Sequence, residues 1–161
     1  MRSPGGKIKN PTAVTVRHMS ASDVSAVLLI LEESPEASMW SRESLLELAS
    51  RGTAWVAELG DSVAGIFIGQ VAADEFEVLN LAVGKAWRRR GIATRLLRAA
   101  LENARTAGVR QAYLDVRASN EGGIALYERL GFQVCGRRPS YYRNPTEDAV
   151  LLVLHNHGLK P

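Results

Sequence analysis

A mixed α/β fold is predicted by the sequence, with a central, mostly antiparallel sheet and helices on both of its faces. Three observations carry this. Seven short apolar runs have strand length and are bounded by turn residues. Four other stretches repeat apolar residues every three or four positions, the period of a helix with one buried face. One of these helices lies between two strand-like runs as a crossover. The two strands it joins are expected to run parallel, and hairpin-linked neighbours antiparallel.

Taken in order, residues 1–12 (MRSPGGKIKNPT) are rich in Pro, Gly and Lys and read as a tail, 13–155 as a single domain and 156–161 as a second tail. Ala13 to Arg17 alternates and is expected to be the first strand. Ser20 or Ser22 caps a helix with Val24, Val27, Leu28 and Leu31 on its apolar face, and Pro35 ends that region. Ser41 opens a second helix, 42–50, with Leu45, Leu46 and Leu48 apolar. Residues 53–59 and 63–71 form a hairpin about Gly60-Asp61. After Asp74-Glu75, residues 76–83 form another strand and 84–90 a polar connection.

Ile92, Leu96, Leu97, Ala100, Leu101 and Ala104 then recur at helical spacing, and Gly108 terminates them. Residues 110–116 are a strand. Ser119-Asn120 caps a helix carrying Ile124, Tyr127 and Leu130, which Gly131 stops. Residues 132–135 and 149–154 are the last strands, paired antiparallel across a loop that holds Tyr141 to Pro145.

Composition narrows the function classes. Hydrophobic residues are 46% and charged residues 23%, a globular balance that argues against disorder over most of the length. No apolar run approaches the roughly 18 residues of a membrane span. Arg2, Lys7 and Lys9 are not followed by the apolar segment of a secretory signal. A cytoplasmic location with no membrane partner is expected. The single cysteine, Cys135, excludes an internal disulfide and a cysteine-based zinc site, and following a strand it is expected to be a core thiol. His155 and His157 have chelating spacing but no third ligand, so no metal is expected. The oligomeric state is left open.

The net charge of +3 is concentrated: Lys85 precedes Arg88-Arg89-Arg90, and Arg137-Arg138 lie downstream. Cations at a helix N-terminus are unfavourable by roughly 0.3–1 kcal/mol each, so three in a row there fit an anionic ligand, with a solvated basic turn that merely caps the helix as the alternative. Gly91 and Ala93 are small enough for the backbone to approach a pyrophosphate, Ile92 and Thr94 complete the first turn, and the helix supplies free N–H groups.

The run Leu81-Ala82-Val83, then Arg88-x-x-Gly91-x-Ala93 and an Ile/Leu helix, resembles the acetyl-CoA motif of the GNAT superfamily. Leu114 to Asn120 and Ala125-Leu126-Tyr127-Glu128-Arg129-Leu130-Gly131-Phe132 resemble the second half of that fold. Within it the chain is most similar to the RimI branch, the N-terminal alanine acetyltransferases of a ribosomal protein. Gly136 to Tyr142, Glu147-Asp148-Ala149 and Met39-Trp40-Ser41 add to that likeness.

The resemblance implies acetyl-CoA as co-substrate, bound by residues 81–83, 88–94 and Asn120. It implies a backbone N–H of Leu81, Ala82 or Val83, with Val83 foremost, as oxyanion donor, and Tyr127 as the acid at the leaving sulfur. The branch carries Glu where Asp115 stands, so the base is Asp115, directly or through water, with Glu75 and Glu77 as rival bases or amine-binding anions. Asp115 has a structural alternative, a salt bridge to Arg117. Tyr142, in the loop with Tyr141 and Arg138, is expected to wall the acceptor groove.

A peptide α-amine titrates near 7.7–8.0 and lysine near 10.4, so roughly a tenth of the former is neutral at pH 7 against well under ~0.1% of the latter. That favours an acceptor protein N-terminus. A small amine or antibiotic is the alternative acceptor. A non-catalytic CoA-binding protein or an RNA-binding module is the alternative of another class. A nucleic-acid partner is not favoured, because aromatic and basic residues are not interleaved beyond Tyr141-Tyr142.

Overall fold

The computed structural model describes residues 13–155; both predicted tails, and His157 with them, lie outside the described residues. One sheet contains β1 (Val14–His18), β2 (Ala54–Leu59), β3 (Ser62–Ala72), β4 (Glu75–Val83), β5 (Gln111–Arg117), β6 (Gln133–Tyr142) and β7 (Glu147–His155). Across the sheet the order is β1-β2-β3-β4-β5-β7-β6. All neighbours are antiparallel except β4 and β5, which the crossover sets parallel as expected. The helices are α1 (Val24–Glu32), α2 (Arg42–Arg51), α3 (Ile92–Thr106) and α4 (Glu121–Arg129).

Local chemistry sets the helix ends. Ser41 Oγ accepts from the Ser44 N–H at 3.1 Å, and Gly52 closes α2 in the left-handed region. Asn120 Oδ1 accepts from the Gly123 N–H at 3.0 Å to start α4. Of the two serines offered for α1, Ser20 is used, and it caps a short 3₁₀ turn over Ala21–Asp23 that leads into the helix.

Two cores flank the sheet. On one face α1 and α2 bury Val24, Val27, Leu31 and Leu45 against Val56, Ile66 and Ile68. On the other, α3 and α4 bury Ile92, Leu96, Leu97 and Tyr127 on Phe67, Phe76, Leu114 and Leu152. Each fully buried large aliphatic contributes about 1.5–3 kcal/mol. One assignment to an apolar face is corrected: Leu46 is 41% exposed, because Leu45 is the residue of that turn that points at the sheet, whereas Leu28 packs against the core from a partly covered position and Ile30 joins it fully buried.

Arg17 ties β1 to this layout. Its guanidinium donates to both Asp23 oxygens at 2.7 and 2.8 Å and to Glu58 Oε1 at 2.8 Å. These bonds, with those from Ser20, hold the Asp23 carboxyl down to about 2. A carboxyl depressed on folding stabilises at every pH above its unfolded value near 3.8 and loses that contribution as pH falls toward about 2. Asp23→Asn is therefore expected to cost about 1 kcal/mol at pH 7, reduced by the partial exposure of Arg17. Denaturant melts at stepped pH should show the difference from wild type shrinking between pH 4 and 2.

The end of the chain departs from expectation. β6 is not the four-residue run 132–135 but extends to Tyr142, so Tyr141 and Tyr142 sit on a strand instead of in a loop. The register with β7 shifts between Val134 and Gly136 and again between Arg138 and Tyr142. β6 is an edge strand, mostly exposed along its length, and so has no alternating apolar signature to read. Cys135 is the unpaired residue of the first shift and is exposed; the core-thiol expectation is overturned. No helix among the described residues is long and apolar enough to cross a membrane.

Candidate active site

The site begins where two strands part. β4 and β5 pair only from Glu75–Gln111 to Val78–Leu114. At that point the β3–β4 register shifts and leaves Leu79 as an extra residue, a bulge that bends β4 away. The bulge also swaps faces: Phe76 and Val78 precede it on the α3 side, and Leu81 and Val83 come after it on that same side. Opposite, Gly69 admits the ring of Phe76, since a Cβ there would lie 2.4 Å from Phe76 Cζ.

Beyond the bulge, the Gly84 N–H donates to Ala64 O at 2.8 Å. Antiparallel alternation then turns the N–H and C=O of Val83 and Leu81 away from β3, into the gap that β5 has left.

Two cavities meet in that gap. A groove of about 400 Å³ runs between Leu81, Ala82, Val83, Arg88, Arg89, Gly91, Ile92, Ala93 and Thr94 on one wall and Asn120, Gly122, Gly123, Leu126, Tyr127 and Arg129 on the other. A pocket of about 240 Å³ lies on the other side of the sheet, lined by Glu36, Ser38, Trp40, Glu77, Asn80, Asp115, Arg117, Tyr141 and Tyr142 among others. Glu36, Leu81, Asn120 and Tyr127 border both, so the cavities join across the gap.

The groove suits a pyrophosphate. Gly91 starts α3 in the left-handed region with no side chain capping the helix, and Arg89 is also left-handed. The first-turn N–H groups of α3 thus keep their free valence for an anion. Arg89 and Arg129 add positive charge beside it. Two of the predicted arginines behave otherwise. Arg90 does not line the groove. Arg88 does, but its guanidinium is engaged by the protein: it donates to Val83 O and Glu33 O, both at 3.0 Å, and to Ser34 Oγ at 3.3 Å.

At the junction, Tyr127 is 9% exposed with its ring edge-on to Phe132 at 5.7 Å. Burial pushes its hydroxyl above the ordinary phenol range, so it holds its proton at any working pH. Asp115 sits on β5 facing the second pocket. Desolvation raises its carboxyl, with Arg138 opposing and Glu77 reinforcing the rise. Its nearest cation is Arg138, whose Nε lies 3.7 Å away.

The alternative for Asp115, a bridge to Arg117, is not formed, because Arg117 is held elsewhere. Its guanidinium bonds Glu147 at 3.3 Å, Pro145 O and Arg143 O, and lies 4.5 Å over the Tyr142 ring. Tyr142 is thereby fixed in the pocket wall, and burial beside Asp115 pushes its hydroxyl up to about 12. Tyr141 stands edge-on to it at 5.1 Å.

The remaining predicted acids divide. Glu77 lines the pocket and accepts from Gln70 Nε2 at 2.8 Å. Glu75 reaches only a neighbouring cavity of about 340 Å³, shared with Glu77, Tyr113, Asp115, Cys135 and Arg138. Trp87, Gly122, Leu126 and Arg129 in the groove, and Glu36, Ser38 and Asn80 in the pocket, were not picked out by sequence. The α4 residues nearest the predicted ones were within reach of the sequence: Gly123 lies one turn from Asn120, and Leu126 is next to Tyr127. The loop set had no such signal. Asn80 reaches it from β4 by donating to Ser38 O at 2.8 Å. Arg137, from the second basic cluster, is paired with Asp148 at 2.8 Å. Among the described residues no group of His, Cys, Asp and Glu could hold a metal.

The chain is similar to known acetyltransferases in sequence and in fold. A ribosomal protein bS18-alanine N-acetyltransferase of Salmonella typhimurium is 35% identical over 147 residues, covering 87% of this chain and 96% of the relative. Among solved structures, Ard1 from Thermoplasma volcanium superposes with a TM-score of 0.82 at 26% identity, covering 89% of this chain and 98% of that one. The ribosomal-protein-S18-alanine N-acetyltransferase from Escherichia coli superposes with a TM-score of 0.76 at 30% identity, covering 89% and 94%. The model of the acetyltransferase (GNAT) family matches residues 22–132. With that match spanning β4, the phosphate loop, α3, β5 and α4, the chain belongs to the GNAT family and is an acetyl-CoA-dependent N-acetyltransferase.

Proposed function

We propose that this enzyme acetylates the N-terminal α-amine of a protein, a ribosomal protein in the first instance. The observation that carries the reading is the junction at the β4–β5 gap. There Tyr127 and Leu81 border both the phosphate groove and a polar pocket walled by Asp115 and Tyr142, and Val83 lines the groove beside them. The relatives named for bS18-alanine acetylation support the choice of acceptor.

Bound in the groove, acetyl-CoA supplies the activated acetyl group. The amine enters from the pocket, and Asp115 takes its proton directly or through one water, with Glu77 beside it keeping the site acidic. The Val83 N–H donates to the oxygen that gains charge as the amine adds. Tyr127 gives its proton, or a strong hydrogen bond, to the departing sulfur. The raised carboxyl of Asp115 makes it a better base than a solvated aspartate, and the raised hydroxyl of Tyr127 keeps its proton ready. Asn120 closes the groove at the start of α4, and Tyr142 shapes the acceptor wall.

An α-amine is already partly neutral at pH 7, so Asp115→Asn is expected to lower kcat by about 10²-fold there. The deficit should narrow as pH rises past about 8, where the amine needs no base. A deficit independent of pH would remove Asp115 from that role.

The acceptor is tested by mass spectrometry of two peptides incubated with enzyme and acetyl-CoA. One has a free N-terminal alanine; the other has a blocked N-terminus and internal lysines. Acetyl on the first alone supports the proposal. Acetyl on neither, while small amines are acetylated, replaces the protein acceptor with a small one.

A further inference from the structure

Arg88 belongs to the phosphate-loop motif and is exposed at the groove, yet its guanidinium is bonded to the protein's own backbone. Its Nε donates to Val83 O, the carbonyl of the residue assigned to the oxyanion. Its Nη2 donates to Glu33 O at the C-terminal end of α1 and to Ser34 Oγ. A second tie runs alongside: the Lys85 N–H donates to Glu33 Oε2 at 2.9 Å.

Ser34 is 2% exposed and anchors the chain just beyond α1. Its hydroxyl donates to Ile30 O at 2.8 Å, and its carbonyl accepts from the Ala37 N–H at 2.9 Å. The segment that leaves this anchor carries Glu36, Ser38 and Trp40 into the acceptor pocket. One guanidinium fork therefore joins the phosphate loop, the end of β4 and the acceptor loop. A planar fork can hold several carbonyls at fixed angles, which an ammonium cannot.

We infer that Arg88 is a positioning residue that couples the two halves of the site: filling the phosphate groove stiffens the acceptor loop through it. The coupling rests on the reading that residues 36–40 border the acceptor. It predicts that CoA bound in the groove tightens binding of the acceptor. By linkage the acceptor strengthens CoA binding by the same factor.

The test uses CoA itself as probe, in the full chain, with Arg88→Ala and Arg88→Lys. In the wild type, CoA should slow amide hydrogen exchange across residues 33–40 and tighten acceptor-peptide binding about tenfold, within the usual range of coupling. Both variants should lose that protection and raise the acceptor KM by a similar factor, with CoA affinity changed less. A folded-state check by thermal melting accompanies each. Lysine restoring wild-type behaviour would reduce Arg88 to a point charge and overturn the inference. So would loss of CoA affinity with protection of 33–40 intact, the signature of a direct phosphate ligand, or a wild type in which CoA does not protect 33–40. The exchange readout needs no acceptor. A protein that acetylates no peptide but shows Arg88-dependent protection would sink the proposed acceptor and leave the coupling standing.

Discussion

Tyr127→Phe is expected to lower kcat by about 10²–10⁴-fold, the range of a positioned general acid. The fold should barely notice. The ring projects from α4 into the core and packs against Phe132, and phenylalanine keeps those contacts. Only the hydroxyl at the junction of the two cavities is lost. The matching change in acetyl-CoA affinity should be small, because an interaction realised only as the sulfur departs leaves ground-state binding alone. Steady-state kinetics with a thiol-release assay, paired with a direct CoA titration, separates the two quantities. A fall in CoA affinity as large as the fall in kcat would make Tyr127 a binding residue and vacate the acid role.

Phe67→Ala should be the most damaging of the core changes considered, at about 3–5 kcal/mol. The side chain is fully buried in the α3-side core, with its ring 5.7 Å from Trp55 and 6.0 Å from Phe76, stacked on the latter. Gly69 beside it leaves no Cβ to fill the resulting space. A domain of this size has a net stability of about 5–15 kcal/mol, so much of it would go. The effect should reach function as well. Phe67 pairs with Leu81 one residue from the bulge that opens the gap, so a collapsing cavity there moves the groove wall. Chemical denaturation of Phe67→Ala and Phe67→Leu checks this: leucine refills most of the volume and should cost well under half as much. Equal costs would mean that the ring contacts, and not the volume, hold this region.

Which elements are legible along the chain has a physical cause. Helix caps at Ser41 and Asn120, the turn at Gly60-Asp61 and the α3 face of Ile92, Leu96 and Leu97 are written in residues close in sequence, and each was legible. The phosphate loop is equally local. Gly91 and the uncapped start of α3 lie within a few residues of each other, and the parallel β4–β5 pair results from a single crossover. β6 was misjudged because an exposed edge strand with two register shifts buries no regular face, so it has no period to detect. Cys135 was misplaced with it.

The sequence by itself determined the set of elements, the family and the residue types available for chemistry, because these depend on spacing within one turn or one strand. Only the tertiary structure decided what those residues touch. Asp115 faces Arg138, not Arg117, because Arg117 is drawn to Glu147 and the turn after β6. Arg88 lines the groove and at the same time donates to a helix end 55 residues before it. Glu75 and Glu77 share a strand, yet only Glu77 reaches the pocket at the gap, because it lies one pleat nearer the point where β4 and β5 separate. Contacts of that range are set by how whole elements pack, and nothing in the neighbouring residues encodes them.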